Sequence, residues 1–188
     1  ITFTPDNNQT AAHLNSLNAA LAGGSTIDLT NLTTITASDI DDLSTLNGNI
    51  GDFSNNTGIV AIAITDGGDG SGDVDFTALD PVIDAYYARN NNVAFTLQSE
   101  DTLLIGTSGE VTDLLTHIGA NNNLQLTNQA ITINSAVGLS AANAKTIAAD
   151  TTGTVTATIA TNARVADLTE LRQPDGATNE VNAFTIVL

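Results

Sequence analysis

The chain has 188 residues, 41% of them hydrophobic and only 4% aromatic, no cysteine, and 21 acidic residues against four cations, for a formal net charge of −17. That length supports one sizeable core or a short array of repeated units, and the scarcity of rings points to thin layers of Ala, Val, Ile and Leu. The charge excludes nucleic acid and anionic membrane surfaces as partners, since both demand clustered Lys and Arg, and the lack of Cys excludes disulfides and thiolate chemistry.

The predicted elements alternate from end to end. ITFT (1 to 4) reads as a strand and is followed by a helix, TAAHLNSLNAALAGG from Thr10, in which Leu14, Leu17 and Leu21 form one stripe and Gly23 closes it. STIDL with TTITA (25 to 37) reads as strand. The helix SDIDDLSTLNG follows from Ser38, with Asp41 three residues on in a near capping box. TGIVAIAIT (57 to 65) is apolar at both alternating sets, as expected of a strand covered on two faces. The glycine- and aspartate-rich DGGDGSGDVD (66 to 75) then leads into the helix DFTALDPVIDAYYARN, with Asp75 as its N-cap.

NVAFTL with TLLI (92 to 105) predicts two strands before the helix SGEVTDLLTHIGAN from Ser108, where Leu114, Leu115 and Ile118 renew the apolar stripe and Gly119 stops it. LQLTN with AITIN (124 to 134) repeats that order, and LSAANAKTIAAD from Leu139 is the next helix. In GTVTATIAT (153 to 161), Val155, Ala157 and Ile159 fall on one side and Thr154, Thr156 and Thr158 on the other, so one face should be solvated. A sixth helix, TNARVADLTEL from Thr161, and a closing strand, NAFTIVL (182 to 188), complete the pattern.

Helix starts recurring at about 30 residues indicate a degenerate repeat. We expect one repeat-built domain over 1–188, with units at 1–37, 38–91, 92–122, 123–152 and 153–188. Strands regularly separated by helices call for parallel crossovers, right-handed by default. The expected class is therefore α/β: a solenoid-like stack of short, mostly parallel strands alternating with short helices. The alternative is a β-sandwich with helical insertions.

The stretch LSAANAKTIAADTTGTVTATIATNARVADLTEL (139 to 171), followed by NAFTIVL, resembles the degenerate repeats of very large secreted and cell-surface structural or adhesin proteins of cyanobacterial and marine bacterial type. The resemblance is good over the last third and loose earlier. It implies an extracellular or cell-surface role, adhesive or filament-forming, and it transfers no catalytic residues.

Within DGGDGSGDVD, Asp69, Ser71, Asp73 and Asp75 alternate and Asp80 lies eleven residues after Asp69. Hard oxygens at positions 1, 3, 5, 7 and 12 are what a calcium loop offers, so calcium is the cofactor this spacing admits. Val74 stands where the helix-loop-helix version needs glycine, and a plain acidic turn between strand and helix fits the same residues. His13 and His117 lack a His or carboxylate three or four residues on; Asp113 could meet His117 on one helical face in a surface hydrogen bond. Asp41 with Asp42 and Glu100 with Asp101 read as solvated charge rather than a glycosidase pair. No GxSxG occurs.

The expected function is non-enzymatic: a subunit or module of a filament, surface layer or adhesin. Copies of the chain itself would be the partners, joined through the terminal strands ITFT and FTIVL. The alternative is a calcium- or carbohydrate-binding extracellular domain, with surface polysaccharide as partner. The longest apolar run, Ile59 to Ile64, is far below the ~20 residues of a membrane span. A chain that opens at Ile1 without any Met reads as a processed form or an excerpt.

Overall fold

The structure is a computed structural model that describes residues 2–21, 26–65, 72–98, 101–134, 136–160, 171 and 182–186. The elements fall into successive groups along the chain. The first holds β1 (Thr2–Phe3), β2 (Asn8–Thr10) and α1 (Ala11–Ala20); the second holds β3 (Thr26–Asp28), β4 (Thr34–Ala37) and α2 (Ile40–Gly48). The third has β5 (Phe53–Ser54), β6 (Ala61–Ile64), β7 (Asp73–Asp75) and α3 (Phe76–Tyr87). β8 (Ala94–Leu97), β9 (Thr102–Ile105) and α4 (Ser108–Leu115) form the fourth, and α4 runs on into a π-helical turn, Thr116–Ala120. β10 (Leu124–Gln125), β11 (Ala130–Ile133) and α5 (Ala141–Asp150) form the fifth, followed by β12 (Val155–Ile159) and β13 (Ala183–Ile186).

The class is α/β. Every strand pairing among the described residues is parallel, in three open sheets ordered β1-β3-β5, β10-β8-β6-β4-β2 and β13-β12-β11-β9-β7. The antiparallel pairing that a β-sandwich requires does not occur among them. Each strand thus lies beside its counterpart from the unit before or after, while α1 packs on α2, α2 on α3, α3 on α4 and α4 on α5.

Register explains the composition. Ile35, Ile62, Phe95 and Leu124 stand side by side across one sheet, and Val74, Leu103, Ile131 and Val155 across another. All eight are buried in one continuous core. Each unit contributes a single inward residue per row, so β-branched and Leu side chains fill the space and few rings are needed.

Several expectations are corrected. β6 is buried on one face only: Ile62 and Ile64 point inward, Ala61 and Ala63 are half-buried, and Val60 is 45% exposed. Its second apolar set is small enough to tolerate water, which hydropathy alone does not reveal. α2 is capped by Asp39, not Ser38, through a 2.8 Å bond from Asp41 N–H. α4 is capped by Thr107, not Ser108; Thr107 Oγ1 accepts from Glu110 N–H while Glu110 Oε2 accepts from Gly106 N–H at 2.7 Å. That reciprocal pair is nearer a capping box than the Ser38–Asp41 spacing was. Asp101 is buried, unlike the solvated charge expected of it. Strands β2, β5 and β7 were not expected at all. β12 does bury Val155, Ala157 and Ile159 and turn Thr156 and Thr158 outward. The helix expected from Thr161 lies outside the described residues, apart from Leu171.

Neighbouring units are also tied by polar corners. Asp28 Oδ1 accepts from Thr30 Oγ1 at 2.6 Å, from Thr30 N–H at 3.0 Å and from Asn55 Nδ2 at 2.9 Å, joining the second unit to the third. These bonds favour the carboxylate, the Thr30 hydroxyl most, and hold its pKa below the usual value. A depressed folded pKa gives stability that is present above the unfolded pKa of about 4 and lost as pH falls through the folded value. The stability advantage of wild type over Asp28→Asn, measured by urea unfolding, is therefore expected at pH 6 and should shrink as the pH drops below about 4.

Candidate functional site

Of the sequence-derived calcium set, Asp73, Asp75 and Asp80 fall among the described residues. Asp69 and Ser71 lie outside the described residues. Asp73 sits in β7 beside buried Val74, and Asp75 is the N-cap of α3, its Oδ1 accepting from Thr77 N–H at 2.9 Å. Asp80, the expected closing ligand, has its Oδ1 2.8 Å from the Nε2 of His117, which places it in another grouping.

That grouping is the most chemically developed one among the described residues. α3 carries Asp80 and Asp84 one turn apart, so both carboxylates lie on one face. α4 packs against α3, and the π-helical turn after it widens the helix at Thr116–Ala120, delivering His117 to that face. His117 Nε2 is 2.8 Å from Asp80 Oδ1 and 3.9 Å from Asp84 Oδ1. The donor atoms of the three residues all lie within 4.8 Å of one another. Exposure is graded across the site: the side chain of His117 is 2% exposed, that of Asp80 24% and that of Asp84 67%.

The imidazole is fixed from behind. Its Nδ1 lies 3.0 Å from Oδ1 of Asn123, a fully buried residue, and its ring tilts against Phe76. Asn123 is itself held by its backbone, N–H donating to His117 C=O at 2.9 Å and C=O accepting from Phe95 N–H at 2.7 Å. Asp113 is not a partner of His117, and the surface hydrogen bond expected between them is replaced by this buried arrangement. Neighbours on the histidine's own helix do not reveal its partner; the usable signal in the sequence is the i, i+4 pair in DPVID, which needs a partner from elsewhere. His13, by contrast, is exposed and bonds Gln9 Oε1 through Nδ1 at 2.8 Å.

Two other places gather polar or aromatic side chains. An open groove of about 600 Å³ runs between α1 and α2, lined by Asn15, Ser16, Asn18, Asp42, Thr45 and Asn49 together with two alanines. It offers amides and hydroxyls but no aromatic platform for a sugar ring and no cation for an acidic one. Near the end of α3, Arg89 lies over the Tyr86 ring at 5.3 Å and bonds Asn47. Burial raises the Tyr86 pKa, against the opposing pull of Arg89, so the phenol stays protonated and serves packing.

No described helix is long and apolar enough to cross a membrane. Compared with known proteins, the chain matches no family model, no curated protein and no solved structure at a meaningful level of similarity.

Proposed function

We propose that this chain is a non-enzymatic extracellular structural protein, a module of a filament, surface layer or adhesin whose sheets continue by strand addition into further copies of itself. One observation carries this reading. Among the described residues β13 is an edge strand, paired with β12 on one side, and it exposes Ala183, Thr185 and Ile186, the last at 44%. An apolar strand with an unpaired ladder edge is a template for another strand. Among the described residues β7 is the other edge of the same sheet, and β1 and β2 are edges of the two other sheets; all pairings are parallel, so head-to-tail addition of copies keeps one strand sense.

The charge sets the conditions. Copies carrying −17 each repel strongly in dilute salt, and at about 0.15 M the screening length of about 8 Å lets short-range strand contacts win. Sedimentation and electron microscopy of the wild-type chain in about 0.15 M salt should show linear assemblies that dissolve in about 0.01 M salt. Deleting 182–188 should leave monomers that retain the wild-type helical circular dichroism. Assemblies that survive the deletion would rule out addition through β13.

A further inference from the structure

We infer that Asp80, Asp84 and His117 form a binding site for one divalent transition-metal cation of the zinc class. Donor and acceptor bookkeeping leads there. His117 Nδ1 lies 3.0 Å from Asn123 Oδ1, an acceptor, and in the tautomer in which Nδ1–H donates to it the other nitrogen is free to ligate. The neutral ring then has its lone pair on Nε2, and that lone pair faces a carboxylate oxygen of Asp80 at 2.8 Å. In that tautomer a cation, proton or metal, belongs beside the two acceptors. A proton on Nε2 would neutralise one carboxylate, whereas a divalent ion neutralises both Asp80 and Asp84. Arg89, which follows α3 in the chain, is engaged with Asn47 and Tyr86.

The surroundings fit a metal in three further ways. A ligating imidazole is normally fixed through its other nitrogen by a hydrogen-bond partner, which is the part Asn123 plays from a position locked by two backbone bonds. Zinc bonds of about 2.0–2.2 Å put tetrahedral ligands about 3.3 Å apart. The donor atoms stand 2.8 and 3.9 Å from Nε2 and within 4.8 Å overall, so rotation of the exposed Asp84 side chain is the main adjustment needed. The gradient from buried His117 to exposed Asp84 also supplies an entry path, with a fourth position left for water. Calcium, which takes six to eight oxygens, is poorly served by a nitrogen and two carboxylates.

The test uses the chelator-treated full chain titrated with Co²⁺ and followed by visible d–d absorption, with calorimetry of Zn²⁺ and Ca²⁺ alongside. One equivalent of Co²⁺ should give an intense tetrahedral-type band that Zn²⁺ quenches and excess Ca²⁺ does not. Asp84→Asn, at an exposed position, should keep the metal-free melting temperature yet weaken Zn²⁺ binding at least tenfold. His117→Gln should abolish the band. If His117→Gln fails to fold, Asp80→Asn provides the same readout. A band unchanged in Asp84→Asn and Asp80→Asn would overturn the proposal. So would wild-type protein showing only weak, multi-equivalent binding, or a nitrogen NMR signature of His117 protonated at Nε2 in the presence of stoichiometric Zn²⁺.

Discussion

Phe95→Ala is expected to be the most damaging single truncation, costing about 4 kcal/mol. Phe95 is fully buried in β8, flanked across the sheet by Ile62 and Leu124, and the Tyr86 ring meets it edge-on with centroids 6.1 Å apart. The core is built mostly from aliphatic side chains, and the neighbouring Tyr86 ring is itself packed under Arg89, so little of the void would be refilled. Both the lost transfer energy and the cavity term should therefore appear in full. A domain of this size has roughly 5–15 kcal/mol in hand, so the variant should still fold but melt about 10 °C lower. Thr96→Ala, one residue along on the half-buried outer face, should change stability by less than about 0.5 kcal/mol. Thermal melts of the two variants side by side test whether the inward row is what holds the units together.

Gly153→Ala is expected to destabilise by about 3 kcal/mol, at the upper end of overpacking costs. Gly153 does not adopt a left-handed φ, so on conformational grounds alone alanine there would gain about 0.4–1 kcal/mol. Space reverses the sign. A Cβ at Gly153 would overlap the backbone carbonyl of Gln129 and press on that of Asn128, and backbone cannot rotate aside. The contact belongs to a corner where three turns meet. Gln129 Nε2 donates to Leu97 C=O at 3.0 Å, Thr151 Oγ1 donates to Gln129 C=O at 2.7 Å, and Thr152 N–H donates to Thr127 C=O at 3.0 Å. Separating the last turn from Gln129 would leave buried polar groups unpaired, adding to the steric cost. Urea unfolding of Gly153→Ala should show a lower midpoint with an unchanged slope; a midpoint at or above wild type would mean that the turns are not in close contact.

Much of the fold was legible because its signals are local. Hydroxyl and acidic caps announced the helices, and the caps found, Thr10, Asp39, Asp75, Thr107 and Ser140, lie at or within one residue of the expected starts. β12 could be read because its Thr and apolar positions alternate. β6 was misjudged because alanine is apolar on any scale yet small enough to sit at a solvated surface, so hydropathy overstated its burial. β5 and β7 were missed because two- and three-residue strands gain their order from parallel neighbours rather than from their own sequence. The candidate site was illegible for a related reason. Asp80 and His117 meet only because α3 packs on α4 and a π-helical turn rotates the histidine inward, and neither follows from spacing along the chain. Asn123 gave no signal, since an amide that orients an imidazole looks like any loop asparagine.

Strand addition is tested most directly by amide hydrogen exchange at the ladder edges as protein concentration rises in about 0.15 M salt. Protection should grow in β13, with that of β1 and β2, while β4, β6 and β8 in the middle of their sheet are protected at every concentration. Edge amides that exchange at the same rate from dilute to concentrated solution would contradict assembly through these strands.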